Sequence, residues 1–170
     1  ALLLGLTVPA SAQVVISQVY GGGGNGGSIY THDFMELFNA GSTPQSLNGW
    51  ALQYASATGS SWAVTNLTDV ILQPGQYFLV QQAVGAGGTT PLPTPDIIVT
   101  PGTAMQGSNV KVALTNSTTA LTGTCPSGGA VVDFVGTGTA NCPANPAGAI
   151  SAANAAIRKT GGCTNTGNNA

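Results

Sequence analysis

Apolar and polar positions alternate along most of this chain, and the clearest case runs from Phe34 to Tyr54, FMELFNAGSTPQSLNGWALQY. Met35 and Leu37 alternate before a break at Asn39, Gly41 and Pro44, and Trp50, Leu52 and Tyr54 alternate after it. A period of two is that of half-buried strands, so the segment reads as two strands joined by a polar turn, a β-hairpin. Further strand candidates follow at short spacing, over 14–20, 61–64, 70–72, 77–80, 97–99, 110–114, 131–135 and 156–159. Turn signals separate them, among them Gln73-Pro74-Gly75-Gln76 and the stretch 85–95. Strands this short, many and regularly spaced predict an all-β sandwich of about eight to nine strands with long loops and essentially no helix.

Composition agrees. The chain has 170 residues, the size of one ordinary domain, and its 25 glycines and 10 prolines suit a fold rich in turns. Only three basic and five acidic residues are present. Three cations give almost no footprint for a phosphate backbone, which argues against nucleic acid as a partner of this segment. The surface has to be built from Thr, Ser, Asn, Gln and Gly instead.

The two ends carry their own signals. Residues 1–12, ALLLGLTVPASA, form a short apolar run broken at Pro9 and ending in Ala10-Ser11-Ala12. This is the expected pattern of the h-region and cleavage site of a secretory signal peptide, with cleavage after Ala12. The run is too short to span a bilayer. Residues 13–170 would then be one domain, and since 162–170 stop in mid-pattern it is expected to be truncated at its C-terminal end.

Several motifs are similar to those of the lamin tail domain, an immunoglobulin-like sandwich. They are the apolar-Glu-Leu-x-Asn strand at 35–39, Leu47-x-Gly49-Trp50, LQPGQYFLV at 72–80 and GSNVKVALTNS at 107–117. The resemblance covers about 14–135. VDFVG at 132–136, a following Arg strand and GCTNT at 162–166 resemble the secreted bacterial branch. The resemblance implies a non-catalytic extracellular module, the N-terminal accessory or binding domain of a larger secreted protein, with a nuclease-type or phosphatase-type domain further along the chain. Its partners would be a protein, a cell-surface component or that catalytic domain. The basic residues that would support the nuclear relatives' chromatin partners are absent.

The candidate chemistry is sparse. Gly21, Gly22, Gly23, Gly24, Asn25, Gly26 and Gly27 match G-x-G-x-x-G twice, but a dinucleotide site needs a helix after the glycines, and SIYTHDFMELF is a strand by pattern. The bland reading is a flexible, permissive loop. With Tyr30 it is the candidate binding loop, since sandwiches place recognition at loop ends. His32, Asp33 and Glu36 are the one ionisable cluster. Alternation puts His32 and Glu36 on one strand face and Asp33 on the other, so a two-ligand His32 and Glu36 site is the most a metal or a hydrolase would find. No cofactor is expected.

Lys111, Arg158 and Lys159 are the only cations, which makes a structural ion pair with Glu36 or Asp133 the expectation. The sequons at Asn66 and Asn116 carry no meaning in a bacterial chain. Three cysteines in an exported chain suggest one disulfide. All three pairings are open. Cys142 with Cys163 is favoured, because it would staple the loop 136–154, which lacks apolar content; Cys125 is left unassigned. A structural or adhesive surface protein is the alternative function, since near-zero net charge favours association.

Overall fold

A computed structural model describes residues 13–164, 166, 168 and 169, so the signal-peptide expectation for 1–12 lies outside the described residues. The strands are β1 (Val14–Tyr20), β2 (His32–Asn39), β3 (Gln45–Ser46), β4 (Ala51–Ser56), β5 (Ala63–Asn66), β6 (Ile71–Leu72), β7 (Tyr77–Val84), β8 (Ile97–Ile98), β9 (Val110–Thr115), β10 (Val131–Gly136) and β11 (Ala156–Ile157). They form a five-stranded sheet in the order β11-β1-β2-β7-β8, a four-stranded sheet β10-β9-β4-β5 and a small pair β3-β6. Every pairing is antiparallel except β7 with β8. The two large sheets face each other across one apolar core. Val14, Ile16, Met35, Leu37, Phe78 and Val80 come from one sheet, and Leu52, Val110, Val112, Leu114 and Val135 from the other. This is the all-β, immunoglobulin-like sandwich that the alternation predicts.

One expectation about the strands is corrected. The alternating halves of 34–54 do not pair as a hairpin: β2 lies between β1 and β7, whereas β4 lies between β9 and β5 in the opposite sheet. Each half has one face on the shared core, and the turn carries the chain across from sheet to sheet, a separation that period-two patterning cannot distinguish from a hairpin. Of the eleven strands only β3 falls where the pattern places a turn, and β6, β8 and β11 are two-residue pieces within the expected 70–72, 97–99 and 156–159. The only helical geometry among the described residues is a turn at Lys159–Gly162, in which Thr160 and Gly161 have positive φ.

The seam where β1 meets β10 is closed by side chains. Register slips between Ile16 and Gln18, so Ser17 is the extra residue of a β-bulge, and a second slip falls between Val131 and Asp133. A bulge leaves ladder groups unpaired. Here the Asp133 carboxylate accepts the Ile16 N–H at 2.7 Å, Arg158 Nε donates to the Ile16 carbonyl at 2.7 Å, and Arg158 Nη2 donates to Asp133 Oδ1 and Oδ2 at 2.8 and 2.7 Å. The bulge also shifts the inward positions from Val14 and Ile16 to Val19, which frees Tyr20 for the outer face. The expected ion pair therefore exists, with Asp133, and it ties β1, β10 and the β11 end together.

Both outer faces carry small apolar cores under long loops. Tyr20 and Phe34 pack with Leu92, and Trp62 packs with Ala55 and Ala113. Covering both faces this way fits a chain with so few charges. Under the second cover, Lys111 is fully buried on the outer face of β9. The loop 136–154 holds itself better than its sequence suggests: Ile150 is part of the main core, Ala140 is buried, and Thr137 bridges to Ala147. The favoured disulfide is corrected as well. Cys125 bonds to Cys142, with a Cα–Cα distance of 5.7 Å, and Cys163 is free. The physical reason is placement. Cys125 and Cys142 follow Thr124 and Asn141, both of which bond to Lys111 over one sheet, while Cys163 lies beside Tyr77 of the other.

Candidate recognition site at the glycine loop

The loop between β1 and β2 is not the flexible, permissive segment its glycines suggest. Gly21, Gly22, Gly23 and Gly24 are buried, and only Asn25, Gly26 and Gly27 are exposed at the tip. A methyl group at Gly23 would sit 1.9 Å from the carbonyl carbon of His32, and Gly24 has φ +67° with its Cα face against Gly85. Glycine is required at both positions, once for close approach and once for the left-handed backbone. The tip is tied back by Gly24 N–H to Tyr30 O at 2.8 Å and Gly87 N–H to Gly24 O at 2.6 Å.

Asp33 organises this end. Its two carboxylate oxygens accept the N–H groups of Gly23 at 2.8 Å and Met105 at 2.9 Å, joining the glycine loop to the segment that precedes β9. The side chain points into the fold, opposite to His32 and Glu36, as the alternation of β2 implies. Burial pushes the Asp33 carboxyl up to about 6, against the opposing pull of the Met105 and Gly23 N–H groups. Its charge in turn adds to the burial that raises Tyr20 above the ordinary phenol range.

His32 and Glu36 do share the outward face, yet the structure gives each a local partner. His32 Nδ1 lies 2.8 Å from Thr31 Oγ1, and Glu36 Oε1 accepts the Ser17 hydroxyl at 2.6 Å. Phe34 stands between them on that face, inside the aromatic cluster. Among the described residues, no group of three or more His, Cys, Asp or Glu side chains is placed to hold a metal ion.

Tyr30 belongs to the aromatic cluster: its ring meets Tyr20 at 6.1 Å and Phe34 at 6.2 Å between centroids, both edge to face. The Tyr20 hydroxyl donates to Ala152 O at 2.5 Å. A half-open cavity of about 160 Å³ is lined by Gln18, Tyr20, Ile29, Tyr30, Phe34 and the alanines 152, 153 and 155. Ile29 is 60% exposed at its edge. The cavity lining is aromatic and apolar apart from Gln18, a surface suited to contact.

The model of the lamin tail domain family matches residues 7–139, most of the chain. The chain belongs to the lamin tail domain family. No curated protein gives a significant match to it. The lamin tail motifs fall on the sandwich itself: the Glu36 strand is β2, Trp50 immediately precedes β4 and VKVALT is β9. Membership therefore accounts for an immunoglobulin-like module of a generally non-catalytic kind. Among the described residues no helix is long and apolar enough to cross a membrane.

Sequence reasoning missed three features of this lamin tail domain: the role of Asp33 as an acceptor hub, the aromatic core on an outer face, and the buried Lys111. Only the last left a signal, a lysine inside the apolar run VKVAL.

Proposed function

We propose that this lamin tail domain is a non-catalytic recognition module of a secreted protein, the accessory domain of a longer chain that carries its chemistry elsewhere. The observation that supports this reading is how the ionisable groups are used. Asp33, Glu36, Asp96, Asp133, Lys111 and Arg158 all bond to other groups of this same chain. A catalytic site needs several such groups converging on open space. An intramolecular disulfide favours an oxidising compartment. Recognition would use the loop end formed by Gly21, Gly22, Gly23, Gly24, Asn25, Gly26, Gly27 and Tyr30, toward a protein or cell-surface component.

The test is an assay of the purified domain on DNA and on a generic phosphate ester, with divalent ions present. No turnover is expected. Turnover that disappears in His32→Ala or Glu36→Ala would replace the recognition reading with the hydrolase.

A further inference from the structure

Lys111 stands at the centre of a polar cluster on the sheet face opposite the main core. Its Nζ donates to Gly59 O at 2.8 Å, Thr124 O at 2.5 Å and Asn141 Oδ1 at 2.9 Å, and it stands 5.4 Å from the centroid of the Trp62 ring. Three acceptors around one nitrogen satisfy the three donors of an ammonium. Two of them, Thr124 and Asn141, are the residues immediately before the bonded cysteines, Cys125 and Cys142. Cys142 Sγ lies 3.1 Å from Thr124 O and 3.4 Å from Asn141 Oδ1. The ammonium and the sulfur thus share two neighbours. The two cysteines differ in access, since Cys125 is exposed and Cys142 is buried.

Thiol–disulfide exchange depends on which sulfur is reached and on how well the other sulfur leaves as thiolate. A neighbouring cation favours the thiolate. We propose that the Cys125–Cys142 bond is an exchange-competent disulfide, attacked at Cys125 and releasing Cys142 as a thiolate held beside the Lys111 ammonium. The partner is a dithiol. One of its thiolates attacks Cys125 Sγ, the S–S bond breaks, and its electron pair goes to Cys142 Sγ. The second thiol of the partner, losing its proton, then attacks the mixed disulfide and releases Cys125 as thiolate. The partner ends as a disulfide, two electrons have passed to the protein, and the two protons given up by the partner's thiols balance those the cysteine thiolates can take up. Opening the bond unclasps Thr124 and Asn141 from Lys111 and alters the surroundings of Trp62, whose Nε1 donates to Gly123 O.

The experiment treats the oxidised chain with dithiothreitol and follows loss of the disulfide by alkylation and mass spectrometry. The folded protein is expected to be reduced faster than the same chain unfolded in guanidinium, the reverse of a disulfide that is merely protected by the fold. Lys111→Met should slow reduction of the folded protein at least about twofold, because a sulfur that leaves without a cation beside it departs less readily as thiolate. It should change nothing in guanidinium. A Lys111→Met chain that misfolds would be reduced at its rate in guanidinium and would fail this comparison, so the wild-type pair of rates and the glutathione adduct then decide. Glutathione under limiting conditions should form its mixed disulfide on Cys125. Slower reduction of the folded wild type than of the unfolded chain, or glutathione found on Cys142, overturns the proposal.

Discussion

Replacing Arg158 by leucine tests whether the β1–β10 seam holds the sandwich shut. Arg158 and Asp133 are 9% and 7% exposed, so their pairing is not a surface salt bridge. Removing the guanidinium leaves the Asp133 carboxylate buried with the Ile16 N–H still donating to it, and leaves the Ile16 carbonyl without its Nε partner. Breaking a buried pair by removing one member costs about 3–5 kcal/mol. Arg158→Leu should therefore lower the unfolding free energy by about 4 kcal/mol, which at about 2 kcal/mol per M is a shift of about 2 M in the urea midpoint. Asp133→Leu should cost a similar amount. The double variant should be more stable than the sum of the two losses predicts, by at least about 2 kcal/mol, because each single change strands the charge that the double change removes. Urea unfolding followed by tryptophan fluorescence reads this, with Trp50 packed on the main core and Trp62 in the outer one. A cost for Arg158→Leu below about 1 kcal/mol, the range of exposed pairs, refutes the reasoning. So would strict additivity.

The other predictions concern Asp33, the glycine loop and the cysteines. Because burial raises Asp33 from 3.8 to about 6, the folded state holds its proton more tightly than the unfolded state, so this contribution is fully present below pH 3.8 and is lost as pH rises through 6. It amounts to at most about 3 kcal/mol, and stability curves from pH 4 to 7 should show Asp33→Asn removing that slope, with an unchanged slope refuting the assignment. Gly23→Ala should destabilise by about 3 kcal/mol or prevent folding, since the clash is with backbone, whereas Gly26→Ala, with nothing within 4 Å, should stay within about 1 kcal/mol of wild type in the same urea titration. A non-reduced peptide map should join Cys125 to Cys142 and leave Cys163 alkylated. Cys125→Ser with Cys142→Ser should cost about 3 kcal/mol for a separation of 17 residues.

What the sequence could reveal was whatever depends on the alternation of a single strand. Met35 and Leu37 inward with Glu36 outward, Leu52 and Tyr54 as a strand, and the all-β class all follow from period two. What it could not reveal depends on which strands meet. FMELF and WALQY look the same whether they pair with each other or face each other across a core, because in both arrangements one side of each is buried. The bulge at Ser17 changes which residues of VVISQVY point inward, and nothing in that heptapeptide announces it. The role of Asp33 was hidden for a similar reason. Its partners are backbone N–H groups of Gly23 and Met105, which any residue carries, so no side-chain pattern marks them. Apolar content alone points the loop 136–154 toward Cys163, whereas Cys142 bonds to Cys125. The deciding contact is a lysine in the middle of VKVAL, whose ammonium donates to Gly59 O, Thr124 O and Asn141 Oδ1. A buried ammonium must collect acceptors, and the loops that supply them, through Thr124 and Asn141, bring their adjoining cysteines with them. In a chain with three cations, the place of each one limits which loops lie close, and Lys111 therefore bears on the cysteine pairing more directly than the apolar content of the loop does.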